Sequence, residues 1–354
     1  MVRRKPFYGA AQAEVRRKLT AFRSELDRGL PVPDDRITVA QLLDDWLQNE
    51  VRPRRRPATY TSYASHVRNH LIPGLGKVRV ARLSPAQVEH LLNKKIEEGL
   101  SARTVDYIRA ILRRALQRAE RRGMVGRNVA KLVESPRQER YRVYVPPPDE
   151  MNRIMEALRS DRLWALYFVA LTLGLRSGEL RGLRWANVDL DLVGSLRVEE
   201  SMQRVNGSLE FAPLKTDQSR RSLPIPTVTR DALSEHRVRQ ERERVFAGRR
   251  WVGKDLVFTT TIGTPLDAST VVHRFQRSLA DHGFSPMRLH DLRHACASYL
   301  VSRGVELRMV MEILGHSQIG LTANLYSHIL PGASIEALAN MDSLFGGAVT
   351  GQLT

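Results

Sequence analysis

The sequence predicts a mainly α protein with a small antiparallel β-sheet, split into an all-helical unit and a mixed α+β unit. Three observations carry this. Four amphipathic runs of helical period follow one another between residues 36 and 138, with no alternating segment among them. Three alternating segments lie together between Ser195 and Ile225, with helical runs before and after. The triplet Pro146-Pro147-Pro148 breaks the chain between the two regimes.

The chain opens with a basic, strand-like scrap, Val2 to Phe7, and a helix from about Ala10 to Arg28 that ends at Gly29. One strand and one helix cannot bury a core, so residues 1–34 are expected to be an appendage or part of a small domain. In the helical unit, 36–138, Thr38 caps a helix running to about Asn49, with Val39, Leu42, Leu43, Trp46 and Leu47 on its apolar side. Arg52-Pro53-Arg54-Arg55-Arg56-Pro57 reads as a basic loop broken by prolines. A second helix starts near Ala58, carries Tyr60, Tyr63, Val67 and Leu71, and should stop at Pro73-Gly74 and Gly76. Ser84 caps a third helix with Val88, Leu91, Leu92 and Ile96. Ser101 caps a fourth with Val105, Ile108, Leu112 and Leu116.

A polar tether, 139–148, leads to the second unit, 149–332. There a helix opens at Pro148-Asp149, and an apolar helix from Leu163 to Leu173 should be buried. The segments Ser195 to Met202, Ser208 to Leu214 and Arg221 to Ile225 suit one three-stranded antiparallel sheet. Val205-Asn206-Gly207 and Thr216-Asp217-Gln218-Ser219 are its turns. Helices are expected again at about 228–246, 268–283, 290–304, 307–314 and 319–328. Residues 333–354 form a short amphipathic tail helix, with Ile335, Leu338, Met341 and Leu344 on one side, and a Gly-rich end.

Composition narrows the function. The 354 residues carry a formal net charge of +18, which points to a polyanionic partner, nucleic acid before anionic membrane. No apolar run approaches the ~18 residues that span a bilayer, and no signal-peptide core is present, so a soluble intracellular protein is expected. Cys296 is the single cysteine, which excludes an intramolecular disulfide and a multi-Cys zinc site. In the helical unit the cations gather before the second helix and at the starts of the second and fourth. Helix N-termini favour phosphate, which makes Arg54, Arg55, Thr59, Arg103 and Thr104 the candidates for DNA contact.

Short chemical words are spaced along the second unit. His290 and Arg293, in Leu289-His290-Asp291-Leu292-Arg293-His294, stand three apart on one helix face. By itself such a pair is more often a solvated face. His290 and His294 also have the i,i+4 spacing of a zinc helix, but Asp291 stands where the metalloprotease word needs Glu, and Arg293 would repel the metal. Arg176 lies in Leu175-Arg176-Ser177-Gly178-Glu179-Leu180, His316 follows Leu314-Gly315, and Tyr326 lies in Leu325-Tyr326-Ser327-His328. Lys215, at the expected hairpin tip, and Lys254 are the only lysines from Met151 onward, in a region that otherwise writes its positive charge as Arg.

Together these words resemble the tyrosine recombinase, or phage integrase, family, over about Ile37 to Tyr326. The resemblance implies a helical core-DNA-binding domain followed by a catalytic domain, acting as a site-specific DNA recombinase. It implies that Arg176 and Arg293 clamp the scissile phosphate and that His290 and His316 add hydrogen bonds. Tyr326 attacks phosphorus to give a 3′-phosphotyrosine, Lys215 protonates the leaving 5′ oxygen, and Glu179 supports Arg176 or His290. No metal, ATP or other cofactor is implied. Implied partners are double-stranded DNA attachment sites, a homotetramer on that DNA, and accessory factors of the host bending-protein or directionality type. The implied location is cytoplasmic, on the nucleoid during reaction. The N-terminal segment departs from the family's three-stranded arm-binding domain and looks truncated. A type IB-like topoisomerase and a non-catalytic DNA-binding regulator are the alternatives; the helical module argues against the first, and Lys215 with Tyr326 against the second.

Overall fold

The computed structural model describes residues 36–137, 144–191, 194–214 and 219–315, with short pieces before residue 21. The chain falls into two compact units, Met1–Arg140 and Tyr141–Thr354. The expected strand at Val2 to Phe7, the helix at 319–328 and the tail helix lie outside the described residues. Within the expected N-terminal helix, residues 12–16 and 19–20 are helical.

The first unit is all-helical. Helix α1 (Val39–Trp46) is capped by Thr38, whose side chain accepts the Gln41 N–H while Gln41 returns the bond to the Thr38 N–H. It runs through a wide π turn, Leu47–Val51, into Arg52–Arg54. Helix α2 (Pro57–His66) likewise passes through a π turn, Val67–Leu71, into Ile72–Leu75. Helices α3 (Pro85–Glu97) and α4 (Ala102–Arg121) are capped by Ser84 and Ser101.

Two expected breaks are therefore misplaced. Residues 52–54 are helical, and only Arg55 and Arg56 are extended. Pro73 does not stop α2 either. A proline ring strikes the carbonyl four residues back in a regular helix. Here each proline follows a π turn, in which the Arg52 N–H bonds Leu47 O and the Ile72 N–H bonds Val67 O. The widened turn carries the offending carbonyl aside and lets the helix continue.

The core of this unit contains the expected apolar positions, including Leu43, Val67, Val105, Ile108 and Leu112, all fully buried. The exception is Ile96, which is exposed. Trp46 stacks on Tyr63 with ring centroids 5.6 Å apart, and Arg114 donates to the Tyr63 hydroxyl.

The second unit is built around α6 (Trp164–Thr172), a helix with no polar face, which is why it can be covered on all sides. Helix α5 (Pro148–Ala157) precedes it, and α7 (Ser177–Gly182) follows across Gly174. The strands come next: β1 (Val188–Asp189), β2 (Ser195–Val198), β3 (Glu200–Val205), β4 (Ser208–Pro213) and β5 (Arg221–Pro224). Helices α8 (Thr227–Ala247), α9 (Ala268–Asp281), α10 (Leu289–Ser302) and α11 (Leu307–Leu314) complete the described unit. Helices α8 and α10 pack on α6.

The expected single sheet is in fact two. An antiparallel sheet runs in the order β1-β2-β5, and β3-β4 is a separate hairpin. Leu196 pairs with Leu223, whereas Met202 pairs with Phe211. The expected strand Ser195 to Met202 divides at Glu199 because the β3 backbone is claimed by α7. A Cβ on Gly182 would stand 3.0 Å from Met202 N, and one on Gly178 3.2 Å from Met202 O. These glycines, four apart on one face, let α7 lie directly on β3. The β3–β4 turn is as expected from its Asn-Gly, with φ of 48° at Asn206 and 86° at Gly207. Strands β4 and β5 belong to different sheets and are not hairpin partners; Lys215, expected at a hairpin tip between them, lies outside the described residues.

Leu112 sits at the centre of the helical core with no exposed surface. Leu112→Ala is expected to destabilise the protein by about 2–5 kcal/mol, the range for a fully buried Leu truncation. Urea denaturation followed by the helical circular dichroism signal checks this.

Candidate active site

Two helices of the second unit begin in the same way. At α7 the Arg176 N–H donates to Glu179 Oε2 at 3.0 Å; at α10 the Arg288 N–H donates to Asp291 Oδ2 at 2.9 Å. A carboxylate three residues into a helix satisfies a backbone donor that would otherwise be orphaned, and it meets the positive end of the helix dipole. In both, the carboxylate then turns back to the arginine side chain. Arg176 Nη1 meets Glu179 Oε1 at 2.8 Å, and Arg288 Nη2 meets Asp291 Oδ1 at 2.8 Å. The two words that looked separate in sequence are one local device used twice.

The site itself is assembled at the C-terminus of α11. The last carbonyls of a helix have no partner within it. Here three successive ones are each taken by a different arginine. Ile313 O accepts from Arg221 Nε at 2.7 Å, Leu314 O from Arg293 Nη2 at 2.7 Å, and Gly315 O from Arg176 Nη2 at 2.8 Å. Arg293 also donates through Nη1 to Gly174 O, which ties α11 to the turn after α6. Two glycines make room. Gly174 has φ +61°, and a Cβ there would lie 2.3 Å from a Leu314 methyl. Gly315 has φ +65°, and a Cβ there would lie 2.9 Å from Arg221 Nη1.

Glu179 offsets this positive charge. Its side chain is 2% exposed and bridges Arg176 and Arg221. Burial by itself would raise its carboxyl, but the Arg221 charge and hydrogen bond, with the Arg176 N–H and charge, outweigh that and hold it below the usual carboxylate range. Arg293 is buried. Loss of water and the neighbouring Arg176 push its guanidinium down to about 9, still charged at neutral pH. Arg176 remains more open, with 37% of its side chain exposed.

His290 lies on the same helix as Arg293, edge-on to His294 with ring centroids 4.9 Å apart. Partial desolvation, then His294 and Arg293, push its imidazole down to about 4, so the ring is neutral at pH 7. Among the described residues no three His, Cys, Asp or Glu side chains converge, and Asp291 is turned to Arg288.

The structure thus brings together Arg176, Glu179 and Arg293, with His290 on the Arg293 helix. Lys215, His316 and Tyr326 lie outside the described residues, although His316 follows directly on Gly315. Arg221, Gly174 and Gly315 were missed as site residues. For Arg221 the only signal was a charge at an inward position of a strand pattern. On the helical unit, Arg54, Arg55 and Arg103 are exposed and Thr59 and Thr104 half-buried, at or just before the starts of α2 and α4. Thr104 shares its hydroxyl with the Ser101 cap at 2.9 Å.

Residues 146–332 match the model of the phage integrase family, and residues 38–96 match the N-terminal SAM-like domain of phage integrases. A tyrosine recombinase XerC-like protein of Caldanaerobacter subterraneus subsp. tengcongensis is 32% identical, over 97% of this chain and 92% of its own. An integrase of Streptomyces ambofaciens is 31% identical, over 95% and 88%. Among solved structures, the Tn1549 transposon integrase in complex with transposon right end DNA superposes with a TM-score of 0.73 at 20% identity, covering 85% of this chain and 99% of that one. A lambda integrase dimer bound to a core site superposes at 0.61 and 19%, covering 89% and 86%. The chain belongs to the phage integrase family and is a site-specific DNA recombinase of the tyrosine type. Among the described residues no helix is long and apolar enough to cross a membrane.

The depressed His290 value has a signed consequence. Its folded value lies below the ordinary 6.5, so the unfolded chain takes up this proton first. The contribution to stability is complete above pH 6.5 and is lost as pH falls toward about 4. A histidine NMR titration of the DNA-free protein is expected to place the His290 inflection well under 6; an inflection at or above 6.5 would show a solvated ring.

Proposed function

We propose that this site cuts and rejoins DNA strands through a covalent 3′-phosphotyrosine on Tyr326. Arg176 and Arg293 clamp the scissile phosphate, His290 and His316 add hydrogen bonds, and Lys215 is the leaving-group acid. The observation that carries the reading is the convergence of Arg176 and Arg293 on the end of α11. That helix end leads directly into His316, ten residues before Tyr326. Each of the two guanidiniums commits two of its five N–H donors to the partners described above.

The chemistry fits the groups. A phosphodiester under attack gathers charge on its equatorial oxygens, and fixed guanidiniums in a partly dry site stabilise that charge. A phenol ionises near pH 10 and needs cations and a proton acceptor close by; the neutral His290 can accept the proton. The phosphotyrosine conserves the bond energy, so rejoining calls for no ATP or other cofactor.

The two units divide the labour. The helical unit, 36–138, holds DNA through Arg54, Arg55, Thr59, Arg103 and Thr104, and residues 149–332 carry the chemistry. Most of the affinity is phosphate contact and therefore falls steeply with salt. Exchange between two duplexes needs four active sites, so the working form is a homotetramer on attachment-site DNA. The lambda integrase tetramer bound to a Holliday junction, which shares this fold at a TM-score of 0.60, supports that assembly. Accessory bending or directionality factors act on the DNA around it. The reaction takes place in the cytoplasm, on the nucleoid.

Incubation with a nicked site that traps the intermediate tests the nucleophile. Tyr326→Phe is expected to bind DNA normally and give no covalent product; persistent product would move the role to another residue.

A substrate with sulfur at the 5′-bridging position tests the acid, because a thiolate leaves without protonation. Arginine is effectively never deprotonated, whereas a lysine among cations can give up its proton. Lys215→Ala is expected to fail on ordinary DNA and to cleave the sulfur substrate nearly as the parent does, while Arg176→Ala fails on both. Rescue of His316→Ala instead would make the histidine the acid.

A further inference from the structure

We propose that Arg221 is a positioning residue of this site. It holds Glu179 and the end of α11 so that Arg176 and Arg293 face the phosphate, and it does not meet the phosphate itself. The inference rests on the phosphate-clamping roles proposed above for those two arginines.

Three observations lead here. The Arg221 side chain is 7% exposed, far less open than Arg176 at 37%. Burial alone does not set it apart from Arg293, which is 2% exposed, but Arg221 engages all three of its side-chain nitrogens, whereas Arg176 and Arg293 each engage two. Its fork is already distributed over three acceptors from three parts of the chain: Ser219 O at 3.0 Å, Ile313 O at 2.7 Å and Glu179 Oε2 at 3.0 Å. The α11 end is also shaped around it, since Gly315 leaves no room for a Cβ beside Arg221 Nη1.

The electrostatics supply the reason for a third guanidinium. Glu179 is buried and ionised, and its charge is shared between Arg176 and Arg221. Without Arg221, the whole carboxylate charge would fall on Arg176 and draw its fork toward Glu179 and away from an incoming phosphate. Ile313 O would lose its donor at the same time, loosening the helix end on which Arg176 and Arg293 both rest. Lysine cannot replace Arg221, because a single ammonium cannot span three divergent acceptors with the geometry of a planar fork.

The test measures covalent capture on a nicked duplex at saturating DNA, together with DNA affinity and melting temperature. The variants are Arg221→Lys and Arg221→Ala, each alone and combined with Arg176→Ala. With Arg176 present, capture is expected to slow about 100-fold, the scale of a displacement of about 1 Å in a preorganised site, while affinity holds. In the Arg176→Ala background, whose residual slow capture is read over long incubation, only the effect through Arg293 remains, so the further loss is expected to fall well below about 100-fold. Multiplied losses would make Arg221 an independent phosphate contact and overturn the inference. A lowered melting temperature with the capture rate preserved in the folded protein would reduce Arg221 to a structural role and also overturn it. If Arg221→Ala does not fold, the lysine variant decides. Absence of covalent product from the parent chain would fail the functional reading instead; product from the parent with undiminished variants fails this inference alone.

Discussion

The site depends on one constraint, the unsatisfied carbonyls at the end of α11. A helix end buried without partners is costly, and a cation there is favoured by the dipole. This protein meets the need with three arginines drawn from a helix start, a strand and a second helix. The same bonds that complete α11 bring guanidiniums from distant parts of the chain to one place. Stability of the helix end and geometry of the site are therefore a single property.

Three like charges held together repel one another, and Glu179 makes the arrangement tolerable. Buried and paired on both sides, it stays ionised against the pull of burial. One carboxylate against three guanidiniums still leaves the site strongly positive; burial first, and then the neighbouring Arg176, lower the Arg293 guanidinium. On the function proposed above, a phosphate entering there would relieve repulsion already present in the free protein, which is preorganisation in the electrostatic sense. The excess of +18 over the whole chain works at longer range, in encounter with a polyanion.

The supporting frame is set by close approaches. Gly178 and Gly182 bring α7 onto β3, Gly174 admits Leu314, and Gly315 admits Arg221. Each is a place where one side-chain carbon would displace an arginine or the helix that carries it. In the helical unit the corresponding device is the π turn, which lets prolines sit inside long helices without ending them. The helix that carries Arg54 and the break at Arg55 and Arg56 follow from that accommodation.

Much of this was legible in the sequence. Ser84, Ser101 and Thr38 announce their helices because a cap is a local interaction, and nearly all the positions picked out by apolar spacing are buried because burial follows the helical period. The words around Arg176 and Arg293 were legible only as a set that resembles a known family, since each by itself reads as a solvated face. What the sequence could not show depends on contacts between distant segments. The split of the sheet at Glu199 was decided by α7 pressing on β3. Ile96 reads as core by its period, yet it was left in solvent by how α3 packs. Prolines 53 and 73 read as stops, because the π turns that absorb them leave no mark in composition. Arg221 is the clearest case. In sequence it is one of many arginines, and only the fold gives it Glu179 on one side and the end of α11 on the other. The local chemistry of this protein is written residue by residue; which charges share a site is decided only when helices and strands far apart in the chain close on the same carbonyls.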